Sequence, residues 1–219
     1  MTDSRTSFPV IRVVFLSLIA VGIAAAGAVL FLAGDAGARR PQGIEATYLP
    51  GGKPVTDFQL TDQNGKPFSL ETLKEGWHFL FFGYTHCPDV CPTTLATMNV
   101  AWQQLQTEGL TDNAQVVFIS VDPGRDSLAR LAEYVPYFNE DFLGVTGDPK
   151  QIKRLTGDLG VLYAVHDDEG DDNYNVDHSA AILLINPRGQ LQALFKAPHD
   201  AGTIARDFKR IRRFYEGHS

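Results

Sequence analysis

Hydrophobic and polar positions along this chain fall into blocks of two periods, and the blocks predict its elements in order. The run Trp77-His78-Phe79-Leu80-Phe81-Phe82-Gly83-Tyr84 is apolar and aromatic and reaches a glycine near its end. That pattern predicts a buried strand entering a tight turn. Beyond it, Leu95, Met98, Val100, Trp102 and Leu105 recur near helical spacing among polar residues, predicting a helix from about Cys91 with Pro92 at its first position. A second buried strand is expected over residues 116–121, ending at Asp122-Pro123-Gly124. Residues 127–138 read as a helix with Asp126 as N-cap, and 150–156 as another with Asp148 as cap and Pro149 at its first position. Strands are expected over 162–165, 182–185 and 191–195, the last two joined through Asn186-Pro187-Arg188-Gly189, before a helix over about 201–215. Upstream, 57–60 and 67–70 flank Asp62-Gln63-Asn64-Gly65 and read as a hairpin with an Asn-Gly turn.

A strand–helix–strand–helix order followed by an antiparallel hairpin and a terminal helix suits an α/β protein of the thioredoxin-like class. Ahead of it, residues 13–33 are 21 positions with no charge and only Ser17 polar, long enough to cross about 30 Å of hydrocarbon as a helix. This predicts a single N-terminal transmembrane helix. A cleaved signal peptide competes, because Ala36-Gly37-Ala38 resembles a small-residue cleavage site, but the run exceeds the apolar core of about 7–15 residues that such peptides carry. Arg5 and Arg12 precede the span and Arg39 and Arg40 follow it, so charge leaves its orientation open. The expected plan is an anchored segment over 1–34, a Gly-, Ala-, Arg- and Pro-containing linker over 35–50, and one domain over 51–219.

Without residues 1–34, which hold Arg5, Arg12 and Asp3, the chain keeps 17 basic and 25 acidic residues and a net charge of −8. That balance argues against nucleic acid or an anionic membrane surface as a partner. Thiol chemistry is confined to one place: Thr85-His86-Cys87-Pro88-Asp89-Val90-Cys91-Pro92 contains the only two cysteines of the 219 residues. They stand at a strand-to-helix turn, where the positive end of a helix favours thiolate over thiol. Side chains four apart on a helical turn have β-carbons about 5–6 Å apart, wider than the usual disulfide spacing of about 3.8 Å. The spacing suits two sulfurs on one metal, and a loop before Pro92 would also let a disulfide close, whether redox-active or a plain staple. A staple across five residues gains little closure entropy.

His178, in Tyr174-Asn175-Val176-Asp177-His178-Ser179, stands where a loop enters the apolar run over 180–185. It is either a hydrogen-bonded structural residue or a ligand. His86 is its rival by proximity, although sequence neighbours seldom point at one site. Two thiolates and one imidazole suit Cu(I), and Cu(II) with a further ligand; zinc usually calls for a fourth. Asp89 and Asp177 adjoin these positions and could cap, orient or tune them, and Asp122 shapes its own turn. His78, His166, His199 and His218 read as ordinary surface or strand-edge histidines. Residues 166–173 hold five acids in eight positions and read as a solvated loop, or as one whose self-repulsion keeps it mobile until a metal draws His178 in. They lack the twelve-residue register of an EF-hand.

Three blocks, Gly83-Tyr84-Thr85-His86-Cys87-Pro88-Asp89-Val90-Cys91-Pro92, then Val121-Asp122-Pro123, then Val176-Asp177-His178-Ser179, resemble those of the Sco (SenC) family of copper-binding assembly proteins for cytochrome c oxidase. The resemblance runs over about residues 50–215 and keeps the family order of the blocks. It implies a copper site of Cys87, Cys91 and His178, and a soluble domain outside the cytoplasm, here a bacterial inner-membrane protein facing the periplasm. Two roles follow from it. One is a metallochaperone that delivers copper to the copper A subunit of cytochrome c oxidase. The other is a thiol:disulfide oxidoreductase in which Cys87 and Cys91 are the redox-active pair and reduce client cysteines. A second periplasmic copper chaperone or a thioredoxin-like reductant are further expected partners. A thioredoxin-like peroxidase fits less well, since no arginine stands beside the thiols in the turn.

Overall fold

The computed structural model describes residues 18, 22, 40–166 and 175–217, and the chain divides into two compact units, Met1–Arg40 and Pro41–Ser219. Apart from Leu18 and Gly22, the expected anchor over 13–33 lies outside the described residues. Among the described residues no helix is long and apolar enough to cross a membrane.

The second unit is built on an eight-stranded sheet whose strands lie, edge to edge, in the order β1 (Thr47–Pro54), β10 (Gln190–Phe195), β9 (Ile182–Asn186), β4 (Trp77–Gly83), β5 (Ala114–Ser120), β6 (Leu143–Thr146), β2 (Gln59–Asp62) and β3 (Pro67–Ser69). Its centre is the run singled out above: β4, Trp77–Gly83, is buried at every position. It pairs in parallel with β5, Ala114–Ser120, and antiparallel with β9, Ile182–Asn186. β6, Leu143–Thr146, extends the parallel part beside β5, and β2, Gln59–Asp62, with β3, Pro67–Ser69, forms the predicted hairpin on the far edge. Its turn closes with the Gly65 amide on the Asp62 carbonyl at 2.9 Å. Gly65 has φ of +79°, a left-handed conformation that glycine adopts without penalty. On the other edge, β10, Gln190–Phe195, returns against β9.

Strand alternation then builds two cores from one sheet. Phe79, Phe81, Val116, Phe118, Ile182 and Leu184 face one way, onto the helices α2, Val90–Thr107, α3, Leu128–Tyr134, and α5, Ala201–Glu216. Leu80, Phe82, Val117, Ile119, Leu183 and Ile185 face the other, onto α1, Leu70–Leu73, and α4, Pro149–Leu159. A strand covered on both faces has no polar positions to spare, which is why β4 and β9 read as continuous apolar runs. α4 starts as expected, with the Asp148 carboxylate accepting from the Lys150 amide at 2.8 Å and Pro149 in the first turn.

Several expectations are corrected. Residues 47–50, assigned to the linker, belong to edge strand β1, Thr47–Pro54, paired with β10. The chain is fastened just before it by the buried Asp207 carboxylate, which accepts from the Glu45 and Ala46 amides at 2.6 and 2.9 Å. α2 begins one residue earlier than expected, and Ala101 rather than the exposed Val100 completes its buried face. α3 is shorter than 127–138, and its N-cap is Ser127, whose hydroxyl accepts from the Arg130 amide at 3.2 Å. The strand expected over 162–165 is β7, Tyr163–His166, and it pairs with β8, Asn175–His178, in a separate two-stranded sheet.

His78 is not a strand-edge residue. It sits buried on β4, 5% exposed, with its ring edge-on to Phe68 and its Nδ1–H donating to the Gly76 carbonyl at 3.2 Å. Burial opposes the imidazolium and lowers its pKa from 6.5 to about 4, the Gly76 bond working weakly the other way. The unfolded chain therefore takes up a proton between pH 6.5 and 4 that the folded chain refuses. This contribution to stability is complete above about pH 6.5 and is lost as pH falls toward 4, by about 3 kcal/mol. Unfolding midpoints of wild type and His78→Phe should diverge over that interval, with the wild type falling faster, whereas parallel curves would contradict the assignment.

Candidate metal centre

β4 ends at Gly83 and the chain turns at once, so the cysteine segment stands over the carboxyl end of the central strand. The turn closes with the Cys87 amide on the Tyr84 carbonyl at 3.2 Å, and α2 starts two residues before Pro92. Both cysteines are free thiols. Cys91, in the first turn of α2, is fully buried, and Cys87 is half-buried between the two cores. The Cys91 amide donates to Cys87 Sγ at 3.5 Å. That bond ties the turn to the start of α2. The two positions differ, however. Burial pushes the Cys91 thiol up, opposed by a backbone hydrogen bond from Tyr84 and reinforced by Cys87 and Asp126. The helix-end argument for a thiolate is thus overridden at Cys91 by desolvation. Cys91 is held as the neutral thiol by its burial.

Gly83 makes room for that sulfur. A β-carbon added there would lie 2.7 Å from Cys91 Sγ and 2.7 Å from Phe118 Cε2, both buried and held by packing. Gly83→Ala is expected to destabilise the domain by about 1–3 kcal/mol through overpacking and to speed alkylation of Cys91. Wild-type stability with wild-type labelling would contradict this.

Beneath the turn lies a polar network anticipated only in fragments. Asp126, fully buried, accepts from the Thr85 amide at 2.9 Å, from the Thr85 hydroxyl at 2.7 Å and from the Ser120 hydroxyl at 2.6 Å. It is not a helix cap. The Thr85 hydroxyl spends its only hydrogen on Asp126, so its oxygen accepts from Arg130 Nε at 3.3 Å. It also lies 3.3 Å from His86 Nδ1, which is 3.7 Å from Asp126. The rival ligand His86 is therefore turned toward this network while remaining exposed. Asp122 shapes its turn as expected, accepting from Arg125 Nε at 2.5 Å, and Arg125 lies over the Tyr84 ring, 5.6 Å from its centroid. Arg125 in the β5–α3 connection and Arg130 on α3 thus flank the turn, and spacing along the turn itself gave no sign of them. Asp89 occupies the N-cap position of α2 without a side-chain cap bond, and its carboxylate receives the Thr93 hydroxyl at 3.4 Å. Tyr134, on α3, keeps a buried hydroxyl with no hydrogen-bond partner among the described residues. Its phenol is pushed up by burial and then by Cys91 and Cys87, which places it near the pair. An isolated tyrosine gave the sequence no signal.

His178 is the last residue of β8, opposite Tyr163, and the Ser179 amide then donates to the Leu162 carbonyl at 2.9 Å. Tyr163 packs on the same core that Cys87 borders. The structure so brings Cys87 and Cys91 together and places the backbone of His178 at the end of a hairpin whose first strand leans on that core. Among the residues whose side chains are described, no group of three or more His, Cys, Asp or Glu converges as a metal cluster. The acidic segment lies mostly outside the described residues. His199, half-buried, bonds the Ala180 carbonyl through Nε2 at 2.7 Å.

Known proteins resemble this chain in sequence and in fold. A relative in Stutzerimonas stutzeri is 42% identical over 150 residues, 68% of this chain and 72% of its own length. The mouse mitochondrial protein SCO2 homolog is 36% identical over 154 residues, 70% of this chain and 60% of its own. Among solved structures, Arabidopsis thaliana ScoI with copper bound superposes with a TM-score of 0.67 at 34% identity, covering 73% of this chain and 98% of that one. The SCO1/SenC family model matches residues 48–213, and the chain belongs to that family.

Proposed function

We propose that this protein is a copper metallochaperone that holds one copper ion through Cys87, Cys91 and His178 and delivers it to the copper A centre of cytochrome c oxidase. The observation that carries the reading is the thiol pair. Two free cysteines, alone in the sequence, flank the start of α2, Cys87 in the turn before it and Cys91 in its first turn, with one sulfur buried and the other half-buried. Soft thiolates select Cu(I), and an imidazole completes a site that copper tolerates with fewer than four protein ligands. The copper-bound relative supports the choice of metal. Capture releases the thiol protons, and the cation supplies the charge that burial denies Cys91. Release follows by ligand exchange: a client thiolate or imidazole approaches Cys87, the exposed side, and displaces the protein's ligands one at a time. An anchor over 13–33 would keep the domain at the periplasmic face of a bacterial inner membrane, within reach of a membrane-bound client.

One observation favours a second reading. A half-exposed cysteine beside a buried one is the arrangement of an attacking and a resolving thiol. In that role the Cys87 thiolate attacks a client disulfide, forming a mixed disulfide and expelling one client thiolate. Cys91 then loses its proton and displaces the second client thiolate, leaving a Cys87–Cys91 disulfide and a client reduced by two electrons.

The two readings make opposite demands on His178. His178→Ala should weaken Cu(I) binding by at least about tenfold while leaving thiol–disulfide exchange within about twofold of wild type. Chelator competition and a disulfide-exchange assay on the same preparation separate them. Unchanged copper affinity in His178→Ala would remove the histidine from the site.

A further inference from the structure

We propose that Asp126 is a positioning residue for the thiol pair: its buried carboxylate anchors the turn that carries Cys87 to the end of β5, and so sets where that sulfur stands relative to Cys91. A carboxylate 0% exposed costs several kcal/mol to bury unless it is fully hydrogen-bonded, and a position whose only task is to start a helix does not require it. Here the cap of α3 is the neighbouring Ser127, so Asp126 is free of that task. Its hydrogen bonds go elsewhere. Two come from Thr85, amide and hydroxyl, across 41 residues of sequence, and one from Ser120 at the end of β5.

Thr85 is two residues before Cys87. The backbone between them closes a tight turn, Cys87 amide to Tyr84 carbonyl, so fixing the Thr85 amide and χ1 together fixes the path of the chain into Cys87. The Thr85 oxygen in turn receives Arg130 Nε from α3, and His86 is drawn to the same group. Cys91 needs no such tether, because α2 and the core hold it. Cys87 lies outside any helix or strand, at the edge of both cores, and its backbone path is set by the turn. Hydrogen bonds to an ionised acceptor are about twice as strong as neutral ones, which suits a carboxylate to a job where a loop must keep one geometry with and without cargo.

The test uses the folded protein with Asp126→Asn, Thr85→Val and Thr85→Ser, and Phe208→Leu as a remote core substitution that lowers the melting temperature without touching the turn. The first readout is the alkylation rate of Cys87 in the metal-free reduced protein. The second is the Cu(I) dissociation constant by chelator competition, and this arm rests on the copper reading. Asp126→Asn and Thr85→Val are expected to speed Cys87 labelling about three- to tenfold and to weaken copper about 10- to 100-fold. Thr85→Ser, which keeps the hydroxyl, and Phe208→Leu should stay within about twofold of wild type on both. If Asp126→Asn fails to fold, the Thr85 pair carries the comparison. The proposal is overturned if Thr85→Val labels and binds as wild type, if Thr85→Ser is as impaired as Thr85→Val, or if Phe208→Leu shows the same changes. Should the wild type hold no copper, the metallochaperone reading fails, while the labelling ratios still decide the role of Asp126.

Discussion

Cys91→Ser is expected to weaken Cu(I) binding by at least about 100-fold and, separately, to destabilise the domain, whereas Cys87→Ser should match the first loss and show little of the second. Both substitutions exchange a soft sulfur for a hard hydroxyl oxygen that does not ionise in this pH range, so both take a donor away from the proposed copper site. Their surroundings differ. Cys91 is 0% exposed and packs among Leu95, Phe118 and Ile182 in the core under α2, where a sulfur behaves as a small apolar group. Placing a hydroxyl there costs about 1–3 kcal/mol. Cys87 is half-buried at the edge of both cores, and serine can reach water from there. Chemical unfolding of the two metal-free variants beside their copper titrations checks both halves of the prediction. Equal stability in the two variants would mean that Cys91 is not held as the packing indicates, and retained affinity in either would remove that residue from the site.

The largest loss of stability is expected from Phe79→Ala, at about 3–5 kcal/mol. Phe79 lies in the middle of β4, fully buried, its ring centroid 4.9 Å from that of Phe208 on α5 and 6.2 Å from that of Phe195 on β10. Truncation forfeits the transfer free energy of a whole ring and leaves a cavity that three separate elements would have to move to fill. Against a total stability of about 5–15 kcal/mol for an ordinary domain, such a loss also loosens the strand that delivers the cysteine turn. The denaturant midpoint should fall with an unchanged slope. A loss below about 1 kcal/mol would contradict the central place given to β4.

Legibility followed the range of the interactions. β4, β5, β9 and β10 are covered on both faces or joined by a short turn, so their apolar runs and the residues Asn186 to Gly189 announced them locally. The same holds for α4, whose Asp148 and Pro149 carry the start signal within two positions. β1 hid because its first half, Thr47-Tyr48-Leu49-Pro50, closes the stretch read as a linker and runs into Gly51-Gly52, and it becomes a strand only by pairing with β10, more than 130 residues away. β8, polar except for Val176, gave no strand pattern and is defined by β7 alone. In the site, the cysteines were plain from their scarcity and spacing. Asp126 was misread because an acid before a helical stretch is an ordinary cap signal, and nothing in the order of residues shows Thr85 folding back onto it. His78 was misread because histidine in an apolar run does not announce whether its second face is covered. The raised Cys91 thiol was hidden for the same reason: helix position is written in the sequence, and burial is a property of the assembled core.

The central claim, that the two thiols and His178 form one copper site, is tested most directly by titrating the reduced wild-type domain anaerobically with Cu(I) against a competing chelator. One tightly held copper per chain, lost on alkylation of Cys87 and weakened in His178→Ala, is the predicted result. A wild-type protein that yields its copper entirely to the chelator, with both thiols free and reactive, would contradict it and leave thiol–disulfide exchange as the function of the pair.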